Sequence, residues 1–188
     1  MGKVHDRIDE RLRSFIAEQQ VFFVGTAPAG SDGHVNISPK GLADTFTVVD
    51  DHTVAYLDLT ASGAETIAHV RENGRIVLMF CSFSRSPNVV RLHGRGRVVT
   101  IYDEEYAAWA PRFPDNPAAR AVIVVDVTRV SSSCGYSLPL LEPVGERDIL
   151  TPNMERRGPD GVVEYRRKKN RTSIDGLPAF DDDPLPTG

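Results

Sequence analysis

Val4, Ile8, Leu12, Phe15 and Ile16 recur at spacings of three and four among charged residues, the pattern of a helix that lays one apolar stripe on a core. That helix is expected to end near Gln20. The period then changes: Val21-Phe22-Phe23-Val24 is a continuous apolar run suited to a buried strand. After the turn residues Pro28, Gly30, Asp32 and Gly33, the segment His34 to Ser38 alternates apolar and polar positions, so the two runs predict a hairpin. Phe46 to Val49 and Val54 to Leu57 flank Asp50-Asp51-His52 and predict a second one. Ala64 to Asn73 places Ile67 and Val70 on one face with Gly74 at the stop position, which predicts a crossover helix. Strands are expected again over Arg75 to Cys81, Val89 to Ile101 and Ala121 to Val130. Asp103 to Trp109 reads as a short helix broken by Pro111, Pro114 and Pro117. Beyond Gly135 the chain turns polar, with one more helix expected between Met154 and Tyr165.

Six or seven strands, mostly joined by short turns with one helix inserted, predict a mainly β, α+β fold built on a small antiparallel barrel. The strand-helix alternation of a doubly wound parallel sheet is missing, and no GxGxxG opens a helix. The expected organisation is one barrel domain with its N-terminal helix over residues 1–135. Residues 136–188 then form a C-terminal extension, packed on the barrel or crossing to a dimer partner.

Composition narrows the function classes. At 188 residues and 40% hydrophobic content, a single domain can hide roughly 70% of the surface its unfolded chain would expose. The 22 basic and 26 acidic residues give a formal charge of −4, which argues against nucleic-acid binding. Cys81 and Cys134 are far apart with no CxxC or His-rich spacing, so neither a disulfide framework nor a metal site is suggested. The N-terminus is charged and amphipathic, and the apolar run Ile76 to Cys81 is too short to span a bilayer. A cytoplasmic protein with no membrane contact is expected.

The chemistry concentrates between His34 and Thr66. One strand ends in Ser38-Pro39-Lys40-Gly41, and another runs into Asp58-Leu59-Thr60-Ala61-Ser62-Gly63-Ala64-Glu65-Thr66. A hydroxyl-rich turn opening a helix offers backbone N–H groups and a favourable dipole end to a phosphate, and Lys40 adds a full charge nearby. Ser62 and Glu65 are also spaced as a capping box, a reading compatible with phosphate binding. Period two places Arg91, His93, Arg95 and Arg97 on one strand face, a cationic column that reads either as an anion-binding wall or as a solvated barrel surface. Cys134 beside Tyr136 reads as a packed cysteine, and the basic run Arg166 to Arg171 as a solvated or subunit-crossing tail.

The order of Val35-Asn36-Ile37-Ser38-Pro39-Lys40-Gly41, Tyr56-Leu57-Asp58-Leu59-Thr60, Ser62-Gly63-Ala64-Glu65-Thr66 and Val90-Arg91-Leu92-His93-Gly94 resembles the pyridoxamine 5′-phosphate oxidase-like family, over roughly residues 5 to 130. The resemblance implies an FMN-binding split β-barrel and a homodimer with two FMN sites, each built from both chains. It implies a cofactor site at Asn36, Ser38, Pro39, Lys40, Gly41, Tyr56, Asp58, Thr60, Ser62, Gly63, Thr66 and Arg91. It also implies a flavin-dependent oxidoreductase acting on a small molecule. The alternatives are a deazaflavin-coenzyme-dependent reductase and a flavin carrier or sensor without turnover. A haem-binding member of the fold would look to His34, His69 or His93. Two departures point away from vitamin B6 oxidation. Ser62 is followed by Gly63-Ala64 where the true oxidases carry Arg-Lys, and the spacing Arg-x-His occurs at Arg91-Leu92-His93 in a central strand rather than near the C-terminus.

Overall fold

The computed structural model describes residues 2–183. Its strands are β1 (Lys3–His5), β2 (Val21–Thr26), β3 (Asn36–Gly41), β4 (Phe46–Val48), β5 (Thr53–Leu59), β6 (Arg75–Cys81), β7 (Val89–Thr100) and β8 (Ala119–Ser133). Its α-helices are α1 (Glu10–Ala17), α2 (Glu65–Asn73), α3 (Tyr106–Trp109) and α4 (Leu150–Lys169). All strand pairs are antiparallel and form one sheet in the order β3-β2-β6-β7-β8-β5-β4, with β1 added to β8.

The sheet curls until its two ends face each other. Phe22 on β2 packs against Phe46 on β4, Tyr56 on β5 and Phe80 on β6, with ring centroids 5.2, 5.6 and 5.4 Å apart. These aromatics fill the interior between ends that share no hydrogen-bond ladder, which makes a split barrel. Helix α2 lies across this interior through Ile67 and Val70 and stops at Gly74, whose φ of 70° and N–H bond to the Val70 carbonyl form the expected left-handed cap.

Several local expectations need correction. Val4 belongs to a strand, and α1 begins only after Asp9, whose carboxylate accepts from the Leu12 N–H at 2.9 Å. The cause is tertiary: β5 pairs only with the first half of β8, so residues 130–132 of β8 would be a bare edge without β1. At α2 the N-cap is Ala64 with no side-chain cap bond, so the Ser62–Glu65 capping box does not form. The last helix runs longer than expected and is broken at Gly158, φ 68°, ahead of Pro159. Within it Arg166 is buried and bonded to Asp183 and Tyr102 rather than solvated. Cys134, finally, is exposed rather than packed.

Candidate functional site

The register of β2 and β3 sets Lys40 opposite Phe22, Ser38 opposite Val24 and Asn36 opposite Thr26, so these three polar residues point to the barrel interior. Lys40 Nζ reaches across the seam to Asp58 Oδ1 on β5 at 2.9 Å, and Arg120 Nε of β8 meets Asp58 Oδ2 at 2.7 Å. Arg120 occupies a register shift: Asp58 pairs with Ala121 and Leu59 with Ala119, leaving the arginine free to turn inward. Burial alone would raise the fully buried Asp58 carboxyl, but Arg120 and then Lys40 outweigh it and hold the pKa at about 2. Two cations face one carboxylate, so the cluster keeps an excess positive charge.

A second polar chain adjoins the first. Asn36 Nδ2 donates to Thr26 Oγ1 and Thr66 Oγ1, both at 3.3 Å, and Ser38 donates to Asn36 Oδ1 at 3.2 Å. Thr26 Oγ1 in turn bonds His69 Nδ1 at 3.0 Å, which ties β2 and β3 to α2. Burial lowers the His69 pKa, so the ring is held neutral. Four atoms in this region are buried without a protein partner: the Tyr56 hydroxyl, Thr60 Oγ1, His69 Nε2 and Arg120 Nη1. Unmatched buried polar groups of this kind are uncommon and are satisfied by a ligand or ordered water.

Of the residues expected to hold a cofactor, Asn36, Ser38, Lys40, Tyr56, Asp58, Thr60 and Thr66 therefore meet in one region. Pro39 and Gly41 face outward from β3, and Ser62 and Gly63 are exposed in the turn before α2. Glu65 does not cap its helix; its carboxylate accepts from the Ile174 N–H at 3.1 and 3.2 Å. Arg91 lies on the opposite sheet face, in the row Pro39, Phe23, Met79, Arg91, Ser131, and donates to Ser133 at 3.1 Å. Arg91, His93, Arg95 and Arg97 share the outer sheet face, since the bulge opposite His93/Gly94 places its extra residue, Thr128, on β8. Arg95 bonds the Asn73 carbonyl and Arg97 pairs with Glu105, so the column is no open anion-binding wall. Sequence reasoning missed Arg120 and Thr26. The one signal for Arg120 was a lone charge at the head of the apolar run from Ala121 to Val125.

Residues 8–134 match the profile of the family described as pyridoxamine 5′-phosphate oxidase. The chain belongs to the pyridoxamine 5′-phosphate oxidase family. A family member from Aspergillus flavus, ustO, is 38% identical over 192 aligned residues, covering 94% of this chain and 77% of that protein. HupZ from Group A Streptococcus has a similar structure, with a TM-score of 0.51 and 27% identity over 65% of this chain and 91% of that one. A Clostridium acetobutylicum protein of the pyridoxinephosphate oxidase family, related to general stress protein 26, shares the fold at a TM-score of 0.50 and 15% identity. That match covers 68% of this chain and 91% of that one. Among the described residues no helix is long and apolar enough to cross a membrane, and no group of three or more His, Cys, Asp or Glu is placed to hold a metal ion.

Proposed function

We propose that this pyridoxamine 5′-phosphate oxidase family protein binds FMN at the interface of a homodimer and acts as a flavin-dependent oxidoreductase on a small molecule. The observation that carries the reading is the inward column Asn36, Ser38 and Lys40, set against Thr66 of α2 and against Tyr56 and Asp58 of β5. When bound, FMN would supply the hydride or electron transfer.

The residues fit such a group. The Asn36 amide and the Ser38 hydroxyl are half-buried donors and acceptors suited to a heterocycle edge or a ribityl hydroxyl. The first-turn N–H groups of α2 have no partner within the helix and suit a phosphate. A Cβ at Gly63 would meet nothing nearer than Glu65 Oε1 at 3.9 Å, so the backbone there is open to close approach. The excess positive charge of the Lys40–Asp58–Arg120 cluster favours negative charge developing beside it. Arg91, on the outer face, would meet only a cofactor held by a neighbouring copy.

The homodimer reading is supported by the outer sheet face. Val35 and Ile37 are exposed at its β3 edge, beside the half-buried Phe23, Val77 and Met79, and an apolar patch of that kind marks an association surface. Fluorescence titration with FMN tests the proposal. Saturable binding is expected, weakened in Asn36→Ala and Ser38→Ala. Preferential uptake of a deazaflavin coenzyme would replace FMN in the account, and flavin binding without oxidation of reduced nicotinamide or another donor would leave a carrier or sensor.

A further inference from the structure

The C-terminal extension divides into two parts that behave differently. From Leu150 onward it packs on its own barrel: Asn170 donates to the Ala61 carbonyl at 2.8 Å, Arg71 pairs with Asp181 and Asp182, and Ala179 and Phe180 are fully buried. The stretch between Cys134 and Ile149 contains neither strand nor helix. It starts at the end of β8, where the Leu141 N–H reaches the Phe83 carbonyl after β6 at 3.1 Å, and the Ala43 N–H between β3 and β4 reaches Glu146 at 2.6 Å. The stretch therefore runs along one end of the sheet, past β7, β6 and β2, as a rim of the outer face.

The side chains of this rim lack cover. Tyr136 is 82% exposed, Leu140 60%, Leu141 58% and Val144 fully exposed. Leaving four large apolar side chains in water within nine residues forfeits burial that each would gain in a contact. Charge indicates what covers them. The rim carries Glu142, Glu146 and Asp148 against one cation, Arg147, whereas the adjoining outer face has Arg91 and Arg129 in its middle rows and apolar residues toward β3. A chain that exposes an acidic apolar arm next to a basic apolar face is complementary to itself, which is what a two-fold dimer requires.

We propose that residues 136–149 form an arm that seats on the outer sheet face of a second copy of this chain. The inference rests on the homodimer reading above and assigns the arm as the part that carries it, while residues 150–183 stay on their own barrel.

Sedimentation velocity of the full chain over a range of concentrations, beside the variant Leu140→Asp/Val144→Asp, tests the arm. Both positions are exposed, so the variant should keep the wild-type circular dichroism and melting temperature. Hydrogen exchange of the wild-type chain, diluted and concentrated, adds a readout that needs no variant. The expected results are a wild-type dimer, a dissociation constant raised about tenfold or more in the variant, and amides of the arm and of β3 that slow as the dimer forms. A dimer that is equally tight in the variant, with arm exchange independent of concentration, overturns the arm and leaves the homodimer reading standing. A wild-type chain that stays monomeric at every concentration overturns both.

Discussion

Lys40 and Asp58 meet at 2.9 Å across the seam where the two ends of the curled sheet fail to pair, so a side-chain contact joins strands that no ladder connects. With Arg120 on the other carboxylate oxygen, Asp58 is the centre of the closure. Asp58→Asn should therefore cost about 3–5 kcal/mol, because it leaves two cations facing each other with their carboxylate gone. Lys40→Met keeps the Asp58–Arg120 pair and should cost about 1 kcal/mol, since the Lys40 side chain is partly solvated. Urea unfolding of the two variants measures the difference; equal losses would show that the closure does not depend on Asp58.

The same carboxylate makes stability depend on acid. Burial opposes its ionisation, but Arg120 and Lys40 hold its folded pKa at about 2, below the ordinary value of 3.8. A folded value below the unfolded one means that the contribution is complete above the unfolded pKa and lost as pH falls through the folded one. Unfolding free energy should thus drop by about 2 kcal/mol from this group between about pH 5 and pH 2. In Asp58→Asn that part of the acid loss should be missing.

His34 and Asp175, 141 positions apart, make a second clamp of opposite sign: Nδ1 meets Oδ1 at 2.7 Å and the His34 N–H donates to Oδ2 at 2.8 Å. The hydrogen bond to Asp175, followed by its charge, raises the His34 pKa above the ordinary histidine value. A raised folded value gives a contribution that is complete below the ordinary value and lost as pH rises through the raised one. Backbone amides of residues 173–177 should accordingly exchange faster as pH rises through that window, beyond the intrinsic base-catalysed increase. Asp175→Asn should abolish the extra increase and return the His34 ring titration, followed by NMR, toward the ordinary value.

How far the sequence disclosed this arrangement depended on whether a signal was local. The strands around Ser38-Pro39-Lys40 and Tyr56-Leu57-Asp58, the helix after them and its Gly74 stop were all legible from period and turn residues. Arg120 was not, because an arginine at the head of an apolar strand has no local mark that tells a buried ion partner from a solvated strand end. Val4 fitted a helical spacing but answers to the bare edge of β8, and Ser62 has cap chemistry at a turn whose helix begins later. The column Arg91 to Arg97 was legible from its period of two, because the bulge opposite His93/Gly94 adds Thr128 to β8 and leaves β7 regular. The Asn73 carbonyl and Glu105 that engage Arg95 and Arg97 carry no local signal.

That bulge has a steric requirement. A Cβ at Gly94 would collide with the Asp126 carbonyl oxygen and sit 2.9 Å from Val125 Cγ1, both on the neighbouring β8. Gly94→Ala should destabilise the fold by about 3 kcal/mol, since backbone cannot give way as a side chain can. Gly63→Ala, in open space, should stay within about 0.5 kcal/mol of wild type. Thermal unfolding of the pair separates a glycine required by packing from one that stability does not require.

An absorbance spectrum of the purified protein, followed by denaturation and identification of what is released, decides whether this barrel carries a flavin. Flavin bands are expected, or their appearance when the colourless protein is mixed with FMN, with release of FMN in proportion to the chain. A colourless protein that takes up no added FMN would contradict the cofactor site built from Asn36, Ser38 and Lys40.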